Sequence, residues 1–131
     1  MKNTPAAADY WTQFIASRPE FPVGPQLLAQ FHAGSIRSLC DCGCNSYEFD
    51  PTHEPNVPLL ATADGRYGCV FEISFQSEDK NGSVELAVFA DGQGRLAAIE
   101  VDYCANSYPM PQAVKLEEAP YHLRVSQALG A

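Results

Sequence analysis

Positive charge is scarce in this sequence. Eight Lys and Arg stand against 16 Asp and Glu, for a formal net charge of −8. Binding nucleic acid through its phosphates needs clustered Lys and Arg, so that class is excluded. Long apolar runs are missing as well, and none approaches the ~20 residues that span a bilayer. The opening Met1-Lys2-Asn3-Thr4-Pro5 lacks the apolar centre of a secretion signal. The expectation is a soluble cytoplasmic protein without membrane contact. No Gly-rich phosphate loop opens a helix; Gly92-Gln93-Gly94 joins two strands and reads as a turn. No recognised nucleophile signature surrounds His32, His53 or His122. Asp50 and Glu54 share a Pro-rich loop with no sign of a preorganised pocket. The chain is expected to bind rather than to catalyse.

What remains is enough for one domain, residues 1–131: a chain of this length buries a real core, and 46% apolar residues supply it. The fold class is α+β, with two N-terminal helices packed on an antiparallel β-meander sheet of about five strands. Residues 1–34 form the helical part, 35–104 the sheet and 105–131 an irregular C-terminal segment.

Thr4 caps the first helix and Pro5 takes its first position. Tyr10, Trp11, Phe14 and Ile15 make one apolar stripe, read as core. Arg18 falls in the last turn, and Pro19 ends the helix. A second helix runs from Pro25, with Leu27, Leu28 and Phe31 buried and Gly34 in the left-handed position after its end. Residues 35–40 and 46–49 read as strands. Cys69, Phe71, Ile73 and Phe75 alternate with polar or exposed neighbours, which predicts a half-buried strand. Asn81-Gly82 signals a two-residue hairpin turn. Val84, Leu86 and Val88, then Ala97, Ile99, Val101 and Tyr103, continue the apolar face. Residues 121–125 read as an edge strand or a short helix.

A two-residue turn at Asn81-Gly82 places Glu78 opposite Glu85. Pairing Val88 with Ile99 places Glu85 opposite Asp102, with Glu100 two residues along. Opposed like charges destabilise a sheet, so a retained row reads as a docking surface for a basic partner. The bland alternative is a solvated face partly neutralised by Lys80, Arg95 or Arg124.

The other concentration of chemistry is Cys40-Asp41-Cys42-Gly43-Cys44, three of the five cysteines. On an extended strand, alternate residues are separated by close to 7 Å, beyond disulfide reach, so free thiols are expected. Cys40, Cys42 and Cys44 would give zinc three thiolates if Gly43 lets the backbone turn sharply, with His53 or Cys69 as a fourth ligand. Cys69 otherwise reads as a small core residue, and Cys104 lies apart.

The cysteine run, with Gly94-Arg95-Leu96-Ala97-Ala98-Ile99-Glu100 later, resembles small uncharacterised bacterial proteins in which a Cys-x-Cys-Gly-Cys turn precedes a strand. That resemblance implies a bacterial intracellular domain and no assigned chemistry. In length, acidity and the absence of catalytic signatures the chain also resembles immunity proteins of toxin systems. The leading expectation is therefore a non-enzymatic inhibitor of a basic toxin domain, binding through Glu78, Glu85, Glu100, Asp102 and Phe89, with Tyr108 a further aromatic anchor. It needs no cofactor. The alternative is a small zinc-binding or thiol module built on Cys40, Cys42, Cys44 and His53.

Overall fold

The computed structural model describes residues 1–130. Helix α1 (Pro5–Ala16) begins as the sequence predicts: the Thr4 hydroxyl accepts from Ala7 N at 3.1 Å, and Pro5 follows. Its buried face is Ala7, Ala8, Trp11, Thr12 and Ile15, while Tyr10 is exposed. The helix stops earlier than expected. Ser17 is its C-cap, and Arg18 lies beyond it, paired with Glu20 and stacked 4.9 Å over the Phe75 ring. The residue before a proline disfavours the helical region, so Pro19 ends the helix from a distance.

Helix α2 (Gly24–Ala33) buries Leu27 and, unexpectedly, Gln30; Leu28 and Phe31 are only half-buried. Gln30 is satisfied at both ends of its amide. It donates to Pro58 O at 2.8 Å and accepts from Leu96 N at 3.2 Å. Gly34 is extended rather than left-handed (φ −104°, ψ −156°) because the chain passes straight into a strand. Glycine is needed there for room: a Cβ would meet Asp50 O at 2.5 Å and the Phe49 ring at 2.6 Å.

Six antiparallel strands follow: β1 (Ser35–Leu39), β2 (Tyr47–Asp50), β3 (Gly68–Gln76), β4 (Ser83–Ala90), β5 (Leu96–Tyr103) and β6 (His122–Val125). Their order is β1-β2-β5-β4-β3-β6, so the β3-β4-β5 meander is extended by the β1–β2 hairpin on one side and by β6 on the other. Helix residues Trp11, Ile15 and Leu27 share one core with Phe71, Ile73, Phe75, Leu86 and Ile99 of the sheet. No helix among the described residues is long and apolar enough to cross a membrane.

Two bulges change which side chains reach that core. In β3 the register slips between Cys69, opposite Phe89, and Phe71, opposite Val88. Val70 is the extra residue and is buried. Cys69 is therefore turned out of the core, 3.6 Å from the Glu72 carboxylate, which corrects its expected core position. In β5 the slip between Phe89 and Ala90 makes Ala97 the extra residue, and Leu96 takes the core place expected of Ala97. An extra residue reverses the facing of everything beyond it.

The β3–β4 turn is also longer than Asn81-Gly82 predicts. Gln76 pairs with Ser83, and residues 77–82 make the connection. Asp79 Oδ1 accepts from Ser77 Oγ at 2.6 Å and Asn81 N at 2.9 Å, and Lys80 takes φ +65°. These local side-chain bonds outcompete the two-residue turn. Ser74, not Glu78, lies opposite Glu85.

Candidate metal centre

The cysteine turn joins β1 to β2, at the end of the sheet where α1 begins. Its ends are closed by backbone bonds, Cys40 N to Ser46 O at 3.0 Å and Asn45 N to Val101 O at 2.9 Å. Asn3 Nδ2 bridges Cys40 O and Ser46 O at 2.9 and 2.8 Å. Asn45 is fully buried; its Oδ1 accepts from the Trp11 indole at 2.9 Å and its Nδ2 donates to Met1 O at 3.1 Å. Trp11 thus packs the core and fixes the turn. Gly43 turns the chain at φ +110°, where a Cβ would lie 3.1 Å from Pro109, and Gly43 O accepts from Met110 N at 2.9 Å.

This folding-back corrects the extended geometry assumed for the cysteines. Cys40 Sγ lies 3.0 Å from Cys42 Sγ, Cys42 Sγ lies 3.3 Å from Cys44 Sγ, and all three sulfurs fall within 4.8 Å of one another. Sulfurs held about 2.3 Å from a tetrahedral zinc are separated by about 3.8 Å, inside that spread. The three are close enough to hold a metal ion. Cys42 is exposed, Cys40 half-buried and Cys44 buried. Ser46 N–H points at Cys44 Sγ at 3.5 Å. The Cys40 thiol beside Cys42, together with the Cys44 backbone N–H, holds Cys42 down to about 7. The same sulfur contact pushes Cys40 up to about 12. One thiolate is therefore favoured in the cluster near neutral pH.

No fourth side chain joins the group among the described residues. His53 lies past the far end of β2 (Tyr47–Asp50) and is not in the group. Cys69 is on β3, and Cys104 also stays outside the group. What does approach is Asn106, whose Oδ1 lies 3.8 Å from Cys42 Sγ. Asn106 ends a run of three left-handed residues, Cys104 (φ 51°), Ala105 (φ 53°) and Asn106 (φ 64°). Such a run costs roughly 1–2 kcal/mol per residue. It persists because Cys104 N donates to Ser83 O at 2.8 Å, Ala105 N to Glu85 Oε1 at 2.5 Å and Ser107 N to Cys104 O at 3.0 Å. Asn106 tolerates the left-handed region, but nothing in the sequence marks Cys104 and Ala105 for it.

The acidic row is reduced and rearranged on the open face of the sheet. Glu85 does pair with Asp102, and Glu100 follows on the same face. Glu78 is not in the row; it sits in the 77–82 loop, where its N–H donates to Lys115 O. Glu72 of β3 joins instead, but His122 and Arg124 of β6 bond it at 3.0 Å each and hold its carboxyl below the usual range. Lys80 pairs with Glu117, away from the row. Glu85 accepts from Ala105 N and from the Tyr121 hydroxyl. Glu100 and Asp102 have no cation within ion-pair distance among the described residues. Burial first, then Asp102 and Glu72, pushes Glu100 up; burial, then Glu85, does the same to Asp102. Phe89 is half-covered by Tyr67, stacked at 5.9 Å, and Tyr108 is exposed.

No family model matches the chain, and no curated protein or solved structure matches it.

Proposed function

We propose that this chain is a small non-enzymatic binding protein that holds one thiophilic metal ion at Cys40, Cys42 and Cys44. The observation that carries the reading is the convergence of three sulfurs within 4.8 Å on a turn fixed by Asn3, Asn45 and Met110. Thiolates suit zinc and the softer late metals. No histidine or carboxylate joins the cysteines among the described residues, which supports holding an ion rather than hydrolysis at one. Zinc would complete its tetrahedron with a water or a ligand from another molecule. The test is native mass spectrometry of protein purified without chelator, with a thiol count on the same sample. One bound metal with three thiols protected until it is stripped supports the reading. A metal-free mass after incubation with zinc and with univalent copper, with all five thiols reactive, removes it.

A second reading, a docking face for a basic protein partner such as a toxin domain, is favoured by the uncompensated pair Glu100 and Asp102 beside the Tyr67–Phe89 stack. Arg and Lys are attracted both to carboxylates and to aromatic faces. An arginine-rich peptide serves as probe. Binding that weakens at least about tenfold in Glu100→Lys/Asp102→Lys, the size of one lost charged contact, supports it. Binding unaffected by that change, or none at low salt, overturns it.

A further inference from the structure

We infer that the ion held at the cysteine turn is univalent copper, bound by the three thiolates and flanked by the thioethers of Met1 and Met110. This rests on the metal-holding reading above and names the metal.

The ligand count comes first. Three sulfurs gather, and no histidine, carboxylate or further cysteine joins them among the described residues: His53, Cys69 and Cys104 all stay outside the group. A structural zinc site is closed by four protein ligands. Univalent copper, a filled-shell soft cation, is satisfied by two or three sulfurs and gains little from a fourth hard ligand. A turn that supplies three thiolates from alternate residues matches that demand without help from elsewhere in the chain.

The surroundings are independent of that count. The chain has only two methionines. Both line one cavity of about 490 Å³ that also opens onto Cys40 and Cys44, with Cys42 on the outer, exposed side. They lie 109 residues apart in sequence and meet there, where Met1 N donates to Met110 O at 2.5 Å. Met110 is 4% exposed, so its side chain is held in place rather than free in solvent. Thioether and thiolate sulfur are the donors that select univalent copper over harder ions. One carboxylate, Asp41, and one cation, Lys2, also line the cavity, and Asp41 is outside the gathered group. The buried Cys44 and Met110 place the inner side of the site away from water, which suits an ion that is readily oxidised in the open.

The experiment is an anaerobic titration of the reduced full chain with univalent copper against a chromophoric copper chelator, alongside a zinc titration against a zinc chelator. The expected result is one copper drawn from its chelator per chain, and displacement of any bound zinc by one equivalent of copper. Met110→Leu, which keeps the volume, should weaken copper about tenfold, the lower end of what a lost outer-shell partner costs, and leave zinc unchanged. Unaltered circular dichroism of that variant shows that the fold is intact. Zinc that binds and is not displaced by copper overturns the copper assignment and leaves the metal-holding reading standing. Equal loss of both metals in Met110→Leu also overturns it, because the residue would then act through packing. No binding of either metal overturns both.

Discussion

The cysteine turn and the acidic sheet face are held in opposite ways. At the turn, groups that could have been solvated are tied down: Asn3, Asn45, Trp11 and Met110 each bond its backbone or side chains. A left-handed segment whose conformation is unfavourable packs alongside it. On the sheet face the carboxylates repel one another, and only some are answered: Glu72 by His122 and Arg124, Glu85 by an amide and a phenol. Strain collected around converging donors is what a preorganised site requires. Charge left uncompensated on a flat face has no preferred geometry of its own. The difference is why three sulfurs specify a ligand more narrowly than four acids do.

The largest expected effect separates the two regions outright. Cys42→Ser/Cys44→Ser should lose all retained metal, whereas Glu100→Gln/Asp102→Asn should keep it, both read by elemental analysis after gel filtration. Metal retained by the double serine variant would place the ion elsewhere. Next, Asn45→Ala removes the partner of the buried Trp11 indole. It should cost about 1–3 kcal/mol, the penalty of an unpaired buried donor, seen as a lower urea midpoint with an unchanged slope. A loss of metal affinity should accompany it, even though Asn45 is no ligand.

Ala105→Gly relieves a left-handed residue and should raise stability by about 1 kcal/mol, again by urea unfolding; a fall would mean that the turn is not strained. The smallest effect belongs to the sheet face. Asp102→Asn should stabilise by about 0.2–1 kcal/mol at pH 7, the scale of a like-charged cross-strand pair. Asp102 is pushed up in the folded chain, so its ionised form is the costly one. The gain should be present above the folded value and gone below pH ~3, under the ordinary carboxylate range. Glu72 has the opposite sign, because its lowered carboxyl contributes stability above the ordinary value and loses it on acidification. Glu72→Gln should therefore destabilise at pH 7 and converge with the parent in acid.

Much of the frame is legible in the residues. Thr4-Pro5 opens α1, alternation marks the strands, and the pairing of Glu85 with Asp102 follows from keeping Val88 against Ile99. The misplacements within the strands share one cause. A bulge at Val70 or Ala97 inserts a residue that looks like any other strand residue, yet it moved Cys69 out of the core and Leu96 into it. The Asn81-Gly82 signal is real but local, and Ser77 with Asp79 offered the backbone a better set of bonds. At the cysteine site the run was visible, and so was the sharp turn at Gly43 on which its convergence depends. The bonds of Asn3, Trp11 and Met110 to the turn and the approach of Asn106 join residues far apart in sequence, which no local pattern records.

The span of those contacts sets an order in time. Trp11 bonds Asn45 across 34 residues, Asn45 pairs with Val101, and Gly43 waits for Met110. Loops of that length close late, since entropy opposes them until the intervening strands have paired. A chain emerging from synthesis carries all three cysteines early but no arranged site, because residue 110 has yet to arrive. The bonds that fix the turn reach from residue 3 to residue 110, so the centre is expected to become rigid late in folding rather than to nucleate it.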